Sequence, residues 1–104
     1  MGKRRQSPFD PEDFDLESEV ETGLVIGDSR GGGYSVTLDG KFVDSTHDFD
    51  EALVIGLEAM ERAKYYPNVF YVNERGNVDL LAVRPKTRKG KIVGASYETI
   101  HGWV

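Results

Sequence analysis

The sequence predicts an α+β fold: a two-layer sandwich in which one helix lies on one face of a mostly antiparallel sheet. The element order is β-β-β-α-β-β, with room for a further C-terminal strand. Three observations predict it. A single long segment carries a helical apolar period, alternating apolar runs lie on both sides of it, and turn-forming dipeptides separate those runs.

The helical segment is DFDEALVIGLEAMERAKYY, residues 48–66. At about 100° per residue, Phe49, Ala52, Leu53, Gly56, Met60 and Ala63 share one side, and Glu51, Glu58, Glu61 and Arg62 share the other. Asp48 is placed to cap the first turn, and Glu51 occupies the third helical position, where a capping box needs its reciprocal acceptor. Pro67 disfavours helical geometry at Tyr66, so the helix should stop near Lys64 or Tyr65. Gly56 costs roughly 1 kcal/mol of helix propensity. With Ala52, Ala59 and Ala63 it makes a thin helix face that can approach a sheet closely.

Before the helix, GLVIG (23–27) reads as a short strand and DSRGGG (28–33) as a connector. YSVTL (34–38) alternates, with Tyr34, Val36 and Leu38 on one side. Asp39-Gly40 is a favoured type I′ turn dipeptide, and KFVDS (41–45) returns as its partner strand. After the helix, NVFYVN (68–73) and NVDLLAV (77–83) flank Glu74-Arg75-Gly76, a loop that suits a left-handed glycine and a second hairpin. Val78, Leu80 and Ala82 face one way and Asp79, Leu81 and Val83 the other, the two-sided pattern of a central strand. Pro85 is expected to end pairing, leaving 84–91 as a charged loop before a last strand around 91–97 and an aromatic end at Trp103.

A chain of 104 residues is one domain by length. The net charge of −5 is unevenly distributed: residues 10–21 hold seven acids and no base, and from residue 22 onward eleven acids face ten bases. Residues 1–22 are therefore expected to be a flexible acidic tail, and residues 23–104 the folded domain. The absence of cysteine excludes disulfides and thiolate metal sites, and two histidines, His47 and His101, exclude a histidine-rich metal site. No cofactor motif is present. No apolar run nears the roughly 18 residues of a membrane span, so a cytoplasmic protein without a membrane is expected.

Residues 33–63, GYSVTLDGKFVDSTHDFDEALVIGLEAMERA, carry Tyr34, Val36, Gly40, Phe49, Glu51 and Ala52 in a strand, turn and helix-start pattern. This third of the chain resembles the N-terminal domain of HicB-type antitoxins. The resemblance implies a small, partly RNase H-like domain, a toxin partner and an attached DNA-binding segment. The family's Gly-Cys and Gly-Asp-Thr signals are absent, and nothing after residue 67 reads as a helix-turn-helix.

Two groups of candidate binding residues follow. Arg84, Lys86, Arg88, Lys89 and Lys91 put five cations within eight residues, where they would contact phosphates of an anionic partner; no aromatic is interleaved on which a base would stack. Phe9, Phe14 and Leu16 in the acidic tail, with Tyr97 and Trp103 near the end, are apolar anchors for a protein partner or for a homodimer seam. The acidic run also suits screening of the basic loop, or mimicry of nucleic acid toward a nucleic-acid-binding protein. The carboxylates Asp28, Asp39, Asp44, Asp48, Asp50 and Glu51 are accounted for by turns and helix capping, and no catalytic spacing accompanies them. The expectation is a small non-enzymatic regulatory or inhibitory module that binds another protein, with nucleic acid as the alternative partner.

Overall fold

The structure is a computed structural model and describes residues 14–104. Its elements are α1 (Leu16–Thr22), β1 (Leu24–Asp28), β2 (Tyr34–Leu38), β3 (Lys41–Thr46), α2 (Phe49–Ala63), β4 (Val69–Val72), β5 (Val78–Arg88) and β6 (Lys91–Trp103). The strands form one sheet in the order β3-β2-β1-β4-β5-β6. All neighbours are antiparallel except β1 and β4, which are parallel because the chain returns to the sheet through α2 rather than through a tight turn. The fold class is the α+β sandwich expected, with the extra C-terminal strand present.

α2 starts and stops where its sequence signals say. The Asp48 side chain accepts from the Asp50 amide at 3.1 Å, and Lys64 closes the helix in a left-handed conformation with φ 55°. The capping box is rerouted. Thr46 donates its hydroxyl to Glu51 at 2.7 Å and accepts from the Asp48 amide at 3.3 Å, so Glu51 serves the cap through Thr46 rather than directly. Ala52, Leu53, Gly56, Ala59 and Met60 are buried against Leu24, Ile26, Val36, Leu38, Val69, Leu81 and Ala95 of the sheet. A Cβ on Gly56 would run into the Leu24 side chain, which explains a glycine in mid-helix.

The Asp39-Gly40 turn has positive φ at both residues, 54° and 78°, as a type I′ turn requires, and Gly76 takes the left-handed position at 87°. β5 is flanked by β4 and β6 over Val78–Leu81, so Leu80 and Leu81, which point to opposite faces, are both buried.

Three readings change. Within the segment expected to be a flexible tail, residues 16–22 form α1, capped by Asp15 and tied to the domain by Asn68 donating to Glu19 at 3.1 Å and Tyr65 donating to the Thr22 carbonyl at 2.7 Å. Residues 1–13 lie outside the described residues. Pro85 does not end pairing: it stands opposite Ala95 inside β5. Beyond Leu81 β5 has no neighbouring strand but β6 among the described residues, and a strand hydrogen-bonded on one side tolerates a missing amide proton. The charged segment 84–91 is consequently the distal part of a hairpin closed by Lys89-Gly90, and β6 runs on to Trp103.

Candidate binding edge and groove

Among the described residues β6 is the last strand of the sheet and pairs only with β5, so one rim of its stretch 91–100 has no strand beside it there. Its register is broken twice. Lys86 opposes Gly94 while Thr87 opposes Ile92, and Leu80 opposes His101 while Leu81 opposes Thr99, which leaves Val93 and Ile100 as bulged residues without a match. Both are exposed, at 62% and 41%, as is Tyr97 between them at 48%. Bulges limit edge-to-edge growth of a sheet, and here they bound a regular stretch, 94–99.

On the α2 side of that stretch lies an open groove of about 420 Å³, lined by Tyr34, Asp48, Phe49, Asp50, Tyr71, Asp79, Leu81, Tyr97 and Thr99. It forms where the first turn of α2 meets four strands, β2, β4, β5 and β6. Phe49 is its hub, with ring centres of Tyr34, Tyr71 and Tyr97 at 5.2, 5.3 and 5.0 Å, all in edge-on or tilted arrangements. Tyr71 donates its hydroxyl to Asp28 at 2.6 Å, and the other oxygen of Asp28 accepts from the Glu74 amide at 3.1 Å. Burial, then the bonded Asp28 carboxylate, push the Tyr71 hydroxyl well above the ordinary phenol range, so it stays protonated. Asp79 projects toward the groove over Gly102, where a Cβ would lie 2.8 Å from the carboxylate. The sequence pattern credited Tyr34 and Phe49 to the core and missed the groove, because its wall comes from five elements with no common period.

The anticipated anchors do not form one patch. Tyr97 shares the α2 side with Asp79 and Leu81, whereas Trp103 lies on the opposite side, opposite Val78. There Phe14 stacks on Trp103 at 5.5 Å with ring planes 9° apart and stands 6.3 Å from the buried ring of Phe70. Phe14 and Leu16 are half-buried on their own domain, and Phe9 lies outside the described residues. Of the cations, Arg84, Lys86 and Arg88 alternate along β5 and so share the face opposite α2, Lys89 occupies the turn with φ 53°, and Lys91 opens β6. All five are exposed. Tyr97 and the basic arm therefore occupy separate parts of the same hairpin.

Among the described residues, no group of three His, Cys, Asp or Glu side chains is placed to hold a metal ion, and no helix is long and apolar enough to cross a membrane. Of the carboxylates read as turn and cap residues, Asp48 caps α2, Asp44 accepts from the Ser45 amide at 2.8 Å within β3, and Asp28 is instead bonded to Tyr71 and to the Glu74 amide. No family model, no curated protein and no solved structure matches this chain.

Proposed function

We propose that this is a small cytoplasmic, non-enzymatic module of regulatory or inhibitory type that acts by binding another protein, which adds a strand to β6. The observation that carries the reading is the rim of β6 over 93–100, which no other strand among the described residues covers, with Val93, Tyr97 and Ile100 exposed along it. Main-chain hydrogen bonds would supply much of the affinity, and side-chain contacts at alternate positions the specificity. The likeness of residues 33–63 to HicB-type antitoxin domains supports the strand, hairpin and helix topology rather than a binding role. A photoreactive residue at Ile100 should give adducts with a second polypeptide in cells, and one at Phe42 on β3, the other edge of the sheet, should not. Equal adducts from both positions, or none from Ile100, would overturn the proposal. Adducts consisting only of two copies of this chain would replace the partner with a homodimer.

A second reading rests on the stripe of Arg84, Lys86 and Arg88. Alternate residues of a strand are about 6.8 Å apart, close to twice the axial rise per phosphate of one DNA strand. Binding to a nucleic acid through this arm should weaken steeply with salt and lose about one unit of salt slope for each cation reversed to Glu. Unchanged retention on heparin after reversing Arg84 and Arg88 removes this alternative. The third reading, nucleic-acid mimicry by residues 10–21, draws on Glu17, Glu19 and Glu21 of α1 among the described residues, and Glu19 is already engaged by Asn68.

A further inference from the structure

We infer that the groove beneath the first turn of α2 receives an arginine or lysine side chain carried by the polypeptide strand that pairs with β6; the inference rests on the edge-pairing reading above. The groove is built from Tyr34, Phe49, Tyr71 and Tyr97 with three carboxylates, Asp48, Asp50 and Asp79, and among the described residues no Lys, Arg or His lines it. Ring faces and carboxylates both attract a cation, and together they discriminate against an anion. Asp48 is engaged with the helix cap, but Asp79 is not committed: it is half-buried, and among the described residues neither a hydrogen-bond donor nor a cation stands against its carboxylate. A carboxylate without a partner can accept a charge-assisted hydrogen bond from a cation brought by a ligand.

Position ties the groove to the edge. Tyr97 and Thr99 belong both to the groove wall and to the regular stretch 94–99. Side chains of an added strand alternate between the two sheet faces, so those on the α2 side opposite Tyr97 and Thr99 enter the groove. The volume, about 420 Å³, accommodates the aliphatic stem and charged head of one long side chain. Tyr71 keeps its hydroxyl on Asp28, so its ring is held in place as part of the wall rather than moving into the space.

The test uses the full chain and three synthetic probes followed by amide NMR: a short strand-forming peptide with a central arginine, the same peptide with norleucine, and N-acetylarginine methylamide. The arginine peptide should bind about tenfold more tightly than the norleucine peptide, shifting Tyr34, Asp79, Tyr97 and Thr99 together. Asp79→Asn, whose spectrum reports directly that it is folded, should shrink that ratio while leaving norleucine-peptide affinity unchanged. Asp50→Asn, an exposed change, should shrink it less. Equal affinity for the two peptides overturns the cationic groove and leaves the edge reading standing. If neither peptide moves the resonances of β6, the edge reading falls; the groove is then judged by N-acetylarginine methylamide alone, whose shifts at Asp79 and Thr99 would uphold it and whose silence there would overturn it.

Discussion

The two faces of the sheet are covered in different ways. Over the front, α2 lays one apolar stripe across strands that alternate in step with it, and the buried set Leu24, Ile26, Val36, Leu53 and Leu81 is contiguous. Over the back, the described cover includes aromatic side chains from distant parts of the chain: Phe14 before α1, Phe70 in β4 and Trp103 at the end of β6. Both solutions exclude water from apolar surface, but only the first leaves a periodic trace in the sequence. The front is a secondary-structure pattern and the back is a meeting of remote residues. A face held by one continuous helix should lose stability as a unit, whereas the Phe14 cover should come away while the rest of the fold persists.

Substitutions on each face would measure that contrast. The largest effect is expected at Leu53→Ala, where a side chain 1% exposed leaves a cavity in the front core; a loss of about 3 kcal/mol should appear as a lower denaturant midpoint with all probes moving together. Gly23→Ala comes next. Gly23 joins α1 to β1, and a Cβ there would sit 2.7 Å from the Glu19 carbonyl, 2.9 Å from the Asn68 carbonyl and 2.9 Å from the Phe70 ring. With backbone on two sides little can yield, and a loss of about 2 kcal/mol is expected, with α1 amides exchanging faster than those of α2. Phe14→Ala should cost less, about 1 kcal/mol, since the ring is only half-buried where it stacks on Trp103. Hydrogen exchange at α1 should rise after this change with β1 and α2 unaltered; a uniform rise across the sheet would show that the back cover is integral to the global fold.

The smallest effect concerns Tyr71. Its hydroxyl is held protonated in the folded state above the ordinary value of 10.0, so the folded protein keeps a proton the unfolded chain releases. The associated stability is fully present below about pH 10 and is lost as pH rises toward the higher folded-state value. Tyr71→Phe should flatten the alkaline fall of the urea midpoint and leave its course below about pH 9 parallel to that of the parent protein. Identical alkaline slopes would mean that another group governs this range.

The same division runs through what could be anticipated from the residues. Asp48, Lys64 with Pro67, and Asp39-Gly40 are local devices: each acts within a few positions of itself, so their effects are legible where they stand. Pro85 misled because its cost depends on how many strands flank it, and it stands where β4 has already ended. Segment 16–22 misled because its acidic composition argues for a solvated tail, while its anchors, Asn68 and Tyr65, lie more than forty residues away. The groove was hidden for the same reason. Phe49 has a helical phase and Tyr34, Tyr71 and Tyr97 have strand phases, and nothing in one dimension brings the four rings together.

By itself, the sequence determined the helix with both of its ends, the two inner hairpin turns, the α+β class and the distribution of charge, because each follows from short-range sterics, hydrogen bonding or composition. Only the tertiary structure decided that β1 and β4 lie side by side in parallel, that the basic segment extends β5 and β6 into an arm, that Phe14 belongs to the back of the sheet and that four aromatic rings enclose a groove beside an open edge. These depend on contacts between residues tens of positions apart, where the packing of the whole chain selects among arrangements that local preferences leave nearly equal in free energy.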